Sequence, residues 1–141
     1  MGSDSININI TTILKGNMIM YIVKRKDKLF VHYGLYITND MIFHYASLTN
    51  NMFAHNQSVR VSSLNEFSMN RKISLYEIDN KISFYDIVSR AYMFSQNGRK
   101  YSIFNNNCIS FILAILNNKR YINFIEMFTW IIKLHSSNQK T

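Results

Sequence analysis

Three asparagines followed by an apolar block constrain the fold of this chain more than any other feature of its sequence. The segment Asn105-Asn106-Asn107 precedes Cys108, and seven of the eight residues from Ile109 to Leu116 are apolar. Asparagine side chains cap helix starts, because they accept hydrogen bonds from the first unpaired backbone N–H groups. The block therefore predicts a helix that is apolar on almost every side and lies at the centre of a small domain.

Cys108 occupies the first turn of this predicted helix, where two interpretations compete. The partial positive charge at a helix start favours thiolate over thiol, so a cysteine there can act as a nucleophile. A lone cysteine on an apolar helix can equally be an inert core residue. The nucleophile hypothesis requires histidines elsewhere in the chain, and the sequence contains four.

The composition indicates one folded domain with an anionic partner. The 141 residues include 10 Phe, 9 Tyr and 1 Trp, and 48% are hydrophobic, which excludes a disordered chain. A single cysteine forms no internal disulfide, so we expect a reducing compartment such as the cytoplasm. The net charge of +8 favours an anionic membrane surface over nucleic acid, because no RNA-binding or zinc-binding pattern is present, although such a charge also keeps small proteins soluble.

Two histidines lie twelve residues apart in a predicted β-hairpin. Its strands are 29–37 and 41–46, which are rich in β-branched and aromatic residues and flank three turn residues. A three-residue loop places His32 and His44 on the same face of the sheet, whereas a two-residue loop places them on opposite faces. A catalytic role for both therefore requires an odd-length loop, and Gly34 then leaves room for the imidazole of His44.

The remaining patterns predict an α+β fold, with an antiparallel sheet of about four to six strands packed against helices. Alternating apolar residues at 6–10 predict a short edge strand or an extended arm. The other predicted elements are strands at 18–23, 59–61 and 73–78, a helix at 83–94 capped by Ser83, and a helix at 121–134.

The predicted C-terminal helix is amphipathic and short. Fourteen residues cover about 21 Å, less than the roughly 30 Å of a bilayer core, so this segment does not span a membrane. It either packs on the domain or lies in a membrane interface with Trp130 as its anchor. We therefore divide the chain into an arm at 1–13, a domain at 14–120 and a helix with a tail at 121–141.

Cys108, His32 and His44 have the chemistry of a thiol nucleophile, its base and an orienting group. His32 would take the thiol proton, and His44 would bond the other ring nitrogen of His32. Backbone N–H groups at the helix start would hold the tetrahedral oxyanion. Activity should then rise with pH through a group that titrates near neutrality.

Two segments carry a family resemblance. The segment from His32 to Ile37, with His44 twelve residues after His32, resembles the H-box of the lecithin:retinol acyltransferase-like proteins, especially the small phospholipase A and acyltransferase members. Asn107-Cys108, followed by Phe111, is similar to their NC motif. The resemblance implies a circularly permuted, NlpC-type papain-like fold. It also implies that Cys108 is the nucleophile, that His32 is its base and that His44 is the third polar residue. Three further residues would be neighbours of the site, namely Tyr33, Gly34 and Asn107.

The same resemblance implies a thiol-dependent phospholipid acyl hydrolase or acyltransferase that forms an S-acyl-cysteine intermediate on a glycerophospholipid, without cofactor or metal. Basic residues and the tail would then hold the enzyme at an anionic membrane, with contacts from Lys24, Arg25, Lys26 and Trp130. Two alternatives remain open at this point. One is a cysteine peptidase or amidase of the same superfamily, and the other is a non-enzymatic H-box/NC interaction protein. The oligomeric state is open as well.

Overall fold

The computed structural model of the protein describes residues 16–28, 30–46, 57–102 and 106–136. The elements in chain order are β1 (Asn17–Lys26), β2 (Val31–Thr38), β3 (Met41–Ala46), β4 (Ser58–Ser62), α1 (Leu64–Ser68), β5 (Ile73–Ser83), α2 (Phe84–Ser95), α3 (Cys108–Asn117) and α4 (Phe124–His135). The five strands form one antiparallel sheet in the order β4-β3-β2-β1-β5. The predicted α+β class is confirmed, while the permuted papain-like arrangement stays a prediction.

The sheet carries apolar packing on both faces, because alternate side chains of each strand point to opposite sides. On one face Ile22 and Leu35 join the main core with α2, α3 and α4. On the other face Val23 and Ile42 pack against Phe67 of α1. This division separates residues that are neighbours in sequence, and it decides where the parts of the candidate site lie.

Helix α3 is the central helix of the main core, as its sequence predicts, and eight of its ten residues are buried. Asn107 caps it, because its side-chain oxygen accepts hydrogen bonds from the backbone N–H groups of Ile109 at 2.9 Å and Ser110 at 3.1 Å. The hydroxyl of Ser110 in turn accepts from the backbone N–H of Asn107 at 2.6 Å. The predicted helix start at Cys108 is confirmed.

The β2–β3 hairpin has a different turn from the one that the catalytic hypothesis required. Thr38 pairs with Met41, so the loop contains only two residues, and the expectation of an odd-length loop was wrong. The register then shifts between Tyr36 and Thr38, after which Tyr36 pairs with Ile42. This bulge inserts one extra residue into β2 and restores the register of a three-residue loop.

Helix α1 was not predicted, although its start has a readable sequence signal. Ser63 and Glu66 form a capping box, in which each side chain accepts a hydrogen bond from the backbone N–H of the other, at 3.1 Å and 2.9 Å. The helix is only five residues long and buries a single side chain, that of Phe67. Its hydrophobic pattern is therefore too short to indicate a helix.

Helix α4 packs on the domain through the buried side chains of Met127 and Leu134. Trp130 is half-buried, and its ring lies edge-on to that of Tyr33 at a centroid distance of 5.9 Å. The ring of Trp130 also packs against the core, and its predicted role as a membrane anchor stays a prediction. Within the described ranges no helix combines the length and apolar character needed to cross a bilayer.

The predicted division of the chain at residues 13/14 and 120/121 stays a prediction, and the predicted arm at 1–13 lies outside the described residues.

Candidate active site

The two predicted histidines meet in a buried hydrogen-bonded pair. Nε2 of His32 lies 2.9 Å from Nδ1 of His44, and the two side chains are only 4% and 2% exposed. Nε2 of His44 lies 2.8 Å from the hydroxyl oxygen of Ser62 on β4. Ser62 pairs with Ile42 across the sheet and is thus a diagonal neighbour of His44 on the same face. The sequence offered no signal for Ser62, because its position depends on the β3–β4 register.

Phe67 covers the histidine pair from α1. Its ring stacks on His32 with centroids 5.2 Å apart and meets the ring of His44 edge-on at 5.2 Å. Arg25 fixes this cover, because its guanidinium donates to the backbone carbonyl of Phe67 at 2.6 Å and lies 5.4 Å from the centre of the Phe67 ring. We name the set of Arg25, His32, His44, Ser62 and Phe67 the histidine cluster.

The burial of Arg25 corrects one prediction about the membrane. Arg25 is 1% exposed and forms two hydrogen bonds with the carboxylate of Asp27, at 2.8 Å and 2.9 Å. It therefore does not contact a membrane from this position. Lys24 is half-buried, with its Nζ 5.4 Å from the centre of the Tyr76 ring, whereas Lys26 is exposed.

Gly34 is required by the close packing of apolar side chains around it. A Cβ at this position would lie 2.8 Å from Cγ2 of Ile42, 2.9 Å from Cε2 of Phe67 and 3.3 Å from Cγ1 of Val23. The missing side chain thus makes room for the apolar residues that close over the histidine cluster, while the expectation that it also makes room for the imidazole of His44 stays a prediction.

Cys108 is buried at the start of α3, on the main-core face of the sheet. Burial raises the pKa of its thiol to about 11, although hydrogen bonds from the backbone N–H groups of Tyr33, Cys108 and Ile109 lower it. The expected stabilisation of the thiolate by the helix start is present, but loss of hydration outweighs it. The prediction of a lowered thiol pKa was therefore wrong, and the resting form is a neutral thiol.

The sulfur of Cys108 lies where strands β2 and β3 separate. Pairing between these strands ends at Leu35 and Phe43, while β3 continues to pair with β4 as far as Ala46. The backbone N–H of Tyr33 then donates to the sulfur, and His32 is the preceding residue on the same strand. The hydrogen bonds of the described residues join His32 to His44 and not to Cys108.

Both imidazoles are neutral at neutral pH. Burial lowers the pKa of His32 well below 6.5, and the nearby charges of His44 and Arg25 lower it further. Burial also lowers the pKa of His44 to about 4, together with the positive charges of Arg60 and Arg25. A site group that titrates near neutrality was predicted from the ordinary histidine pKa, and His32 does not provide one because its charged form would be desolvated.

Two further residues near the cysteine were not singled out in the sequence. Asn106 is 1% exposed and holds the turn before α3, because its amide nitrogen donates to the backbone carbonyls of Arg99 at 3.3 Å and Lys100 at 3.2 Å. The buried hydroxyl of Tyr101 has no hydrogen-bond partner among the described residues. The part of the chain that the structure describes holds no group of three His, Cys, Asp or Glu side chains that could bind a metal ion.

The chain is thus a small α+β domain with a buried cysteine at a helix start, next to the strand of His32, and with a hydrogen-bonded pair of histidines on two adjacent strands. The family model described as lecithin retinol acyltransferase matches residues 13–120, and the chain belongs to this family. Comparisons with curated proteins and with solved structures gave no match. Family membership suggests acyltransferase-like or phospholipase-like activity on a lipid substrate.

Proposed function

We propose that the protein is a phospholipid acyl hydrolase or acyltransferase that works through an S-acyl intermediate on Cys108. The observation that carries this proposal is the position of the Cys108 sulfur on the backbone N–H of Tyr33, directly after His32 on β2. Pairing between β2 and β3 ends at Leu35 and Phe43, and we propose that the thiol approaches the imidazole of His32, on the other face of the sheet, beyond this point. Membership of an acyltransferase family supports the same reaction.

The first half of the reaction transfers the acyl group to sulfur. Nε2 of His32 is bonded to His44, so Nδ1 of His32 is the nitrogen left to accept the thiol proton. Proton transfer and attack of sulfur on the ester carbonyl carbon occur together, because a thiol with a pKa of about 11 is not ionised at rest. The carbon–oxygen ester bond then breaks, and His32 returns the proton to the departing lysophospholipid oxygen. Backbone N–H groups at the start of α3 stabilise the oxyanion.

The second half regenerates the enzyme. Water, or the hydroxyl or amine of an acceptor lipid, gives its proton to His32 and attacks the thioester carbonyl carbon. The carbon–sulfur bond breaks, sulfur takes the proton back, and a fatty acid or an acylated acceptor leaves. No cofactor is needed, since no electrons are exchanged with an external group.

An anionic membrane would present the substrate to α4 and its neighbours. Phe124, Ile125, Phe128 and Ile132 form an apolar stripe on the outer side of α4 and are 52%, 75%, 56% and 57% exposed. The basic residues next to the start of this stripe are Arg99, Lys119 and Arg120, and the guanidinium of Arg99 lies 4.2 Å from the centre of the Tyr121 ring. This stripe replaces the buried Arg25 as the membrane contact that we propose. A cytoplasmic membrane face suits a free thiol.

The stripe predicts binding to lipid vesicles. Co-sedimentation with vesicles that contain phosphatidylserine should retain the protein, and Ile125→Asp should reduce the bound fraction because it places a charge in the apolar interface. Asn117→Asp, at an exposed position at the end of α3, changes the net charge equally and is the control. Equal binding of the two variants would exclude this stripe as the contact.

The reaction itself is tested by the covalent intermediate. After incubation with phosphatidylcholine vesicles, intact mass spectrometry should find an acyl adduct on the wild-type protein and none on Cys108→Ala. Free fatty acid should accumulate only with the wild type. An unmodified wild-type protein that releases no fatty acid would overturn the proposal.

A non-enzymatic interaction protein is the second candidate, and one observation favours it. Cys108 is fully buried with a raised thiol pKa, and its hydrogen bonds are to backbone N–H groups and not to His32. In that case Cys108 is a core residue of α3. The adduct experiment distinguishes the two candidates, because a core cysteine acquires no acyl group.

A further inference from the structure

Three buried side chains on three adjacent strands form a continuous hydrogen-bonded row. His32 on β2 contacts His44 on β3 at 2.9 Å, and His44 contacts Ser62 on β4 at 2.8 Å. Their exposed fractions are 4%, 2% and 8%, so water does not compete for these hydrogen bonds. The row has a defined end at Ser62, where a hydroxyl can act either as donor or as acceptor.

We propose that Ser62 is a positioning residue that fixes the tautomer of His44 and thereby keeps Nδ1 of His32 unprotonated. This inference rests on the proposed function, since it concerns the nitrogen that takes the thiol proton. It assigns a role in the reaction to a residue that does not contact the cysteine or the substrate.

The number of protons in the row allows two arrangements of its hydrogen bonds. Each neutral imidazole carries one N–H, and each hydrogen bond needs one donor. If His44 donates from Nε2 to Ser62, its Nδ1 must accept from Nε2 of His32, and Nδ1 of His32 is then free to take a proton. If Ser62 donates instead, His44 donates from Nδ1 to His32. The single proton of His32 then lies on Nδ1, and the base is blocked.

The first arrangement, which leaves Nδ1 of His32 free, requires that Ser62 accept a hydrogen bond from His44. Arg25 and Arg60 lie close enough to lower the pKa of His44, and the carboxylates nearby belong to Asp27 and Glu66. Among the described residues, the hydrogen-bond partner of Nε2 of His44 is the hydroxyl of Ser62. Removing the hydroxyl leaves that buried N–H unpaired, which is costly, so the proton moves to Nδ1 of His44. His32 must then carry its own proton on Nδ1.

Nitrogen-15 NMR of the histidine side chains tests this arrangement without any substrate. In the wild type we expect protons on Nε2 of both His32 and His44, with both Nδ1 atoms unprotonated. Ser62→Ala should move both protons to Nδ1, and Ser62→Thr should restore the wild-type pattern because it keeps the hydroxyl. A wild-type protein with its His32 proton on Nδ1 would overturn the proposal, and this result does not depend on the folding of any variant. Unchanged tautomers in a folded Ser62→Ala variant would overturn it as well.

Kinetics provide the second measurement. Ser62→Ala should lower the acylation rate by about 100-fold, the lower end of what a positioned base contributes, with little change in KM. Ser62→Thr should recover most of the rate, and Ser58→Ala, at an exposed position of the same strand, should retain all of it. An unreduced rate in Ser62→Ala would contradict the proposal. If the wild type itself forms no adduct, the proposed function fails, while the tautomer measurement still decides the role of Ser62 in the row.

Discussion

The two faces of the sheet hold the two halves of the candidate site by different means. On the α3 face the thiol lies in an apolar core, and its hydrogen bonds come from backbone N–H groups. On the α1 face the side chains of Ser62 and Phe67 contact the histidines, and Arg25 in turn holds Phe67. The cysteine half therefore resembles ordinary core packing, whereas the histidine half is a polar network that costs stability to build.

The largest expected effect comes from testing whether Cys108 and His32, one from each half of the candidate site, act together in one reaction. His32→Asn should lower acylation by about 1,000-fold, because it removes the base, and the loss with Cys108→Ala should be complete. The double variant should lose no more than Cys108→Ala alone, since residues that act as one unit are not additive. Single-turnover acylation kinetics of the two single variants and the double variant measure these three losses.

Normal acylation by His32→Asn would show that the histidine cluster is only structural. Circular dichroism of each variant provides the folding control. Comparable melting curves would assign the lost rate to chemistry and not to unfolding.

The same comparison explains what the sequence could predict. The cysteine half depends on local signals, because the Asn107 cap and the apolar run after Cys108 define α3 without knowledge of the rest of the fold. Alternation predicted the antiparallel sheet, but it left open whether His32 and His44 share a face, which the bulge in β2 decides. The family was also readable, since its two motifs are short and lie at fixed positions.

The sequence predicted the histidine half of the site less well, because that half depends on contacts between segments that are distant in sequence. The bulge near Ile37 changed the turn without changing which residues face each other. The burial of Arg25 depends on the carboxylate of Asp27 and on a carbonyl in α1, 42 residues away in sequence. A basic cluster in a sequence indicates exposed charge, and only the folded structure shows that one member is buried.

The charge state of the histidine half gives the next prediction, a loss of stability in acid. The pKa of His44 is lowered from 6.5 to about 4 in the folded protein, so the unfolded chain binds the proton more tightly. The contribution of His44 is thus fully present above pH 6.5 and is lost as pH falls to about 4, by on the order of 3 kcal/mol. The lowered pKa of His32 has the same sign.

Urea unfolding at several pH values between 7 and 4 measures this loss of stability. The slope against pH should be smaller in His44→Gln, which cannot be protonated. A wild-type unfolding free energy that stays level over this range would mean that the imidazoles are solvated, contrary to the buried histidine cluster.

The smallest expected effect separates packing from positioning. Phe67 and Phe111 are both buried, at 1% and 0% exposed, but only Phe67 contacts the imidazoles. Phe67→Leu and Phe111→Leu should each lower the unfolding free energy by about 1 to 2 kcal/mol, because each leaves a small void. Only Phe67→Leu should also alter the histidine titration, since it exposes the pair to water and raises the lowered pKa values toward 6.5. Urea unfolding and histidine NMR titration of the two variants measure both quantities, and equal titration curves would mean that Phe67 contributes packing alone.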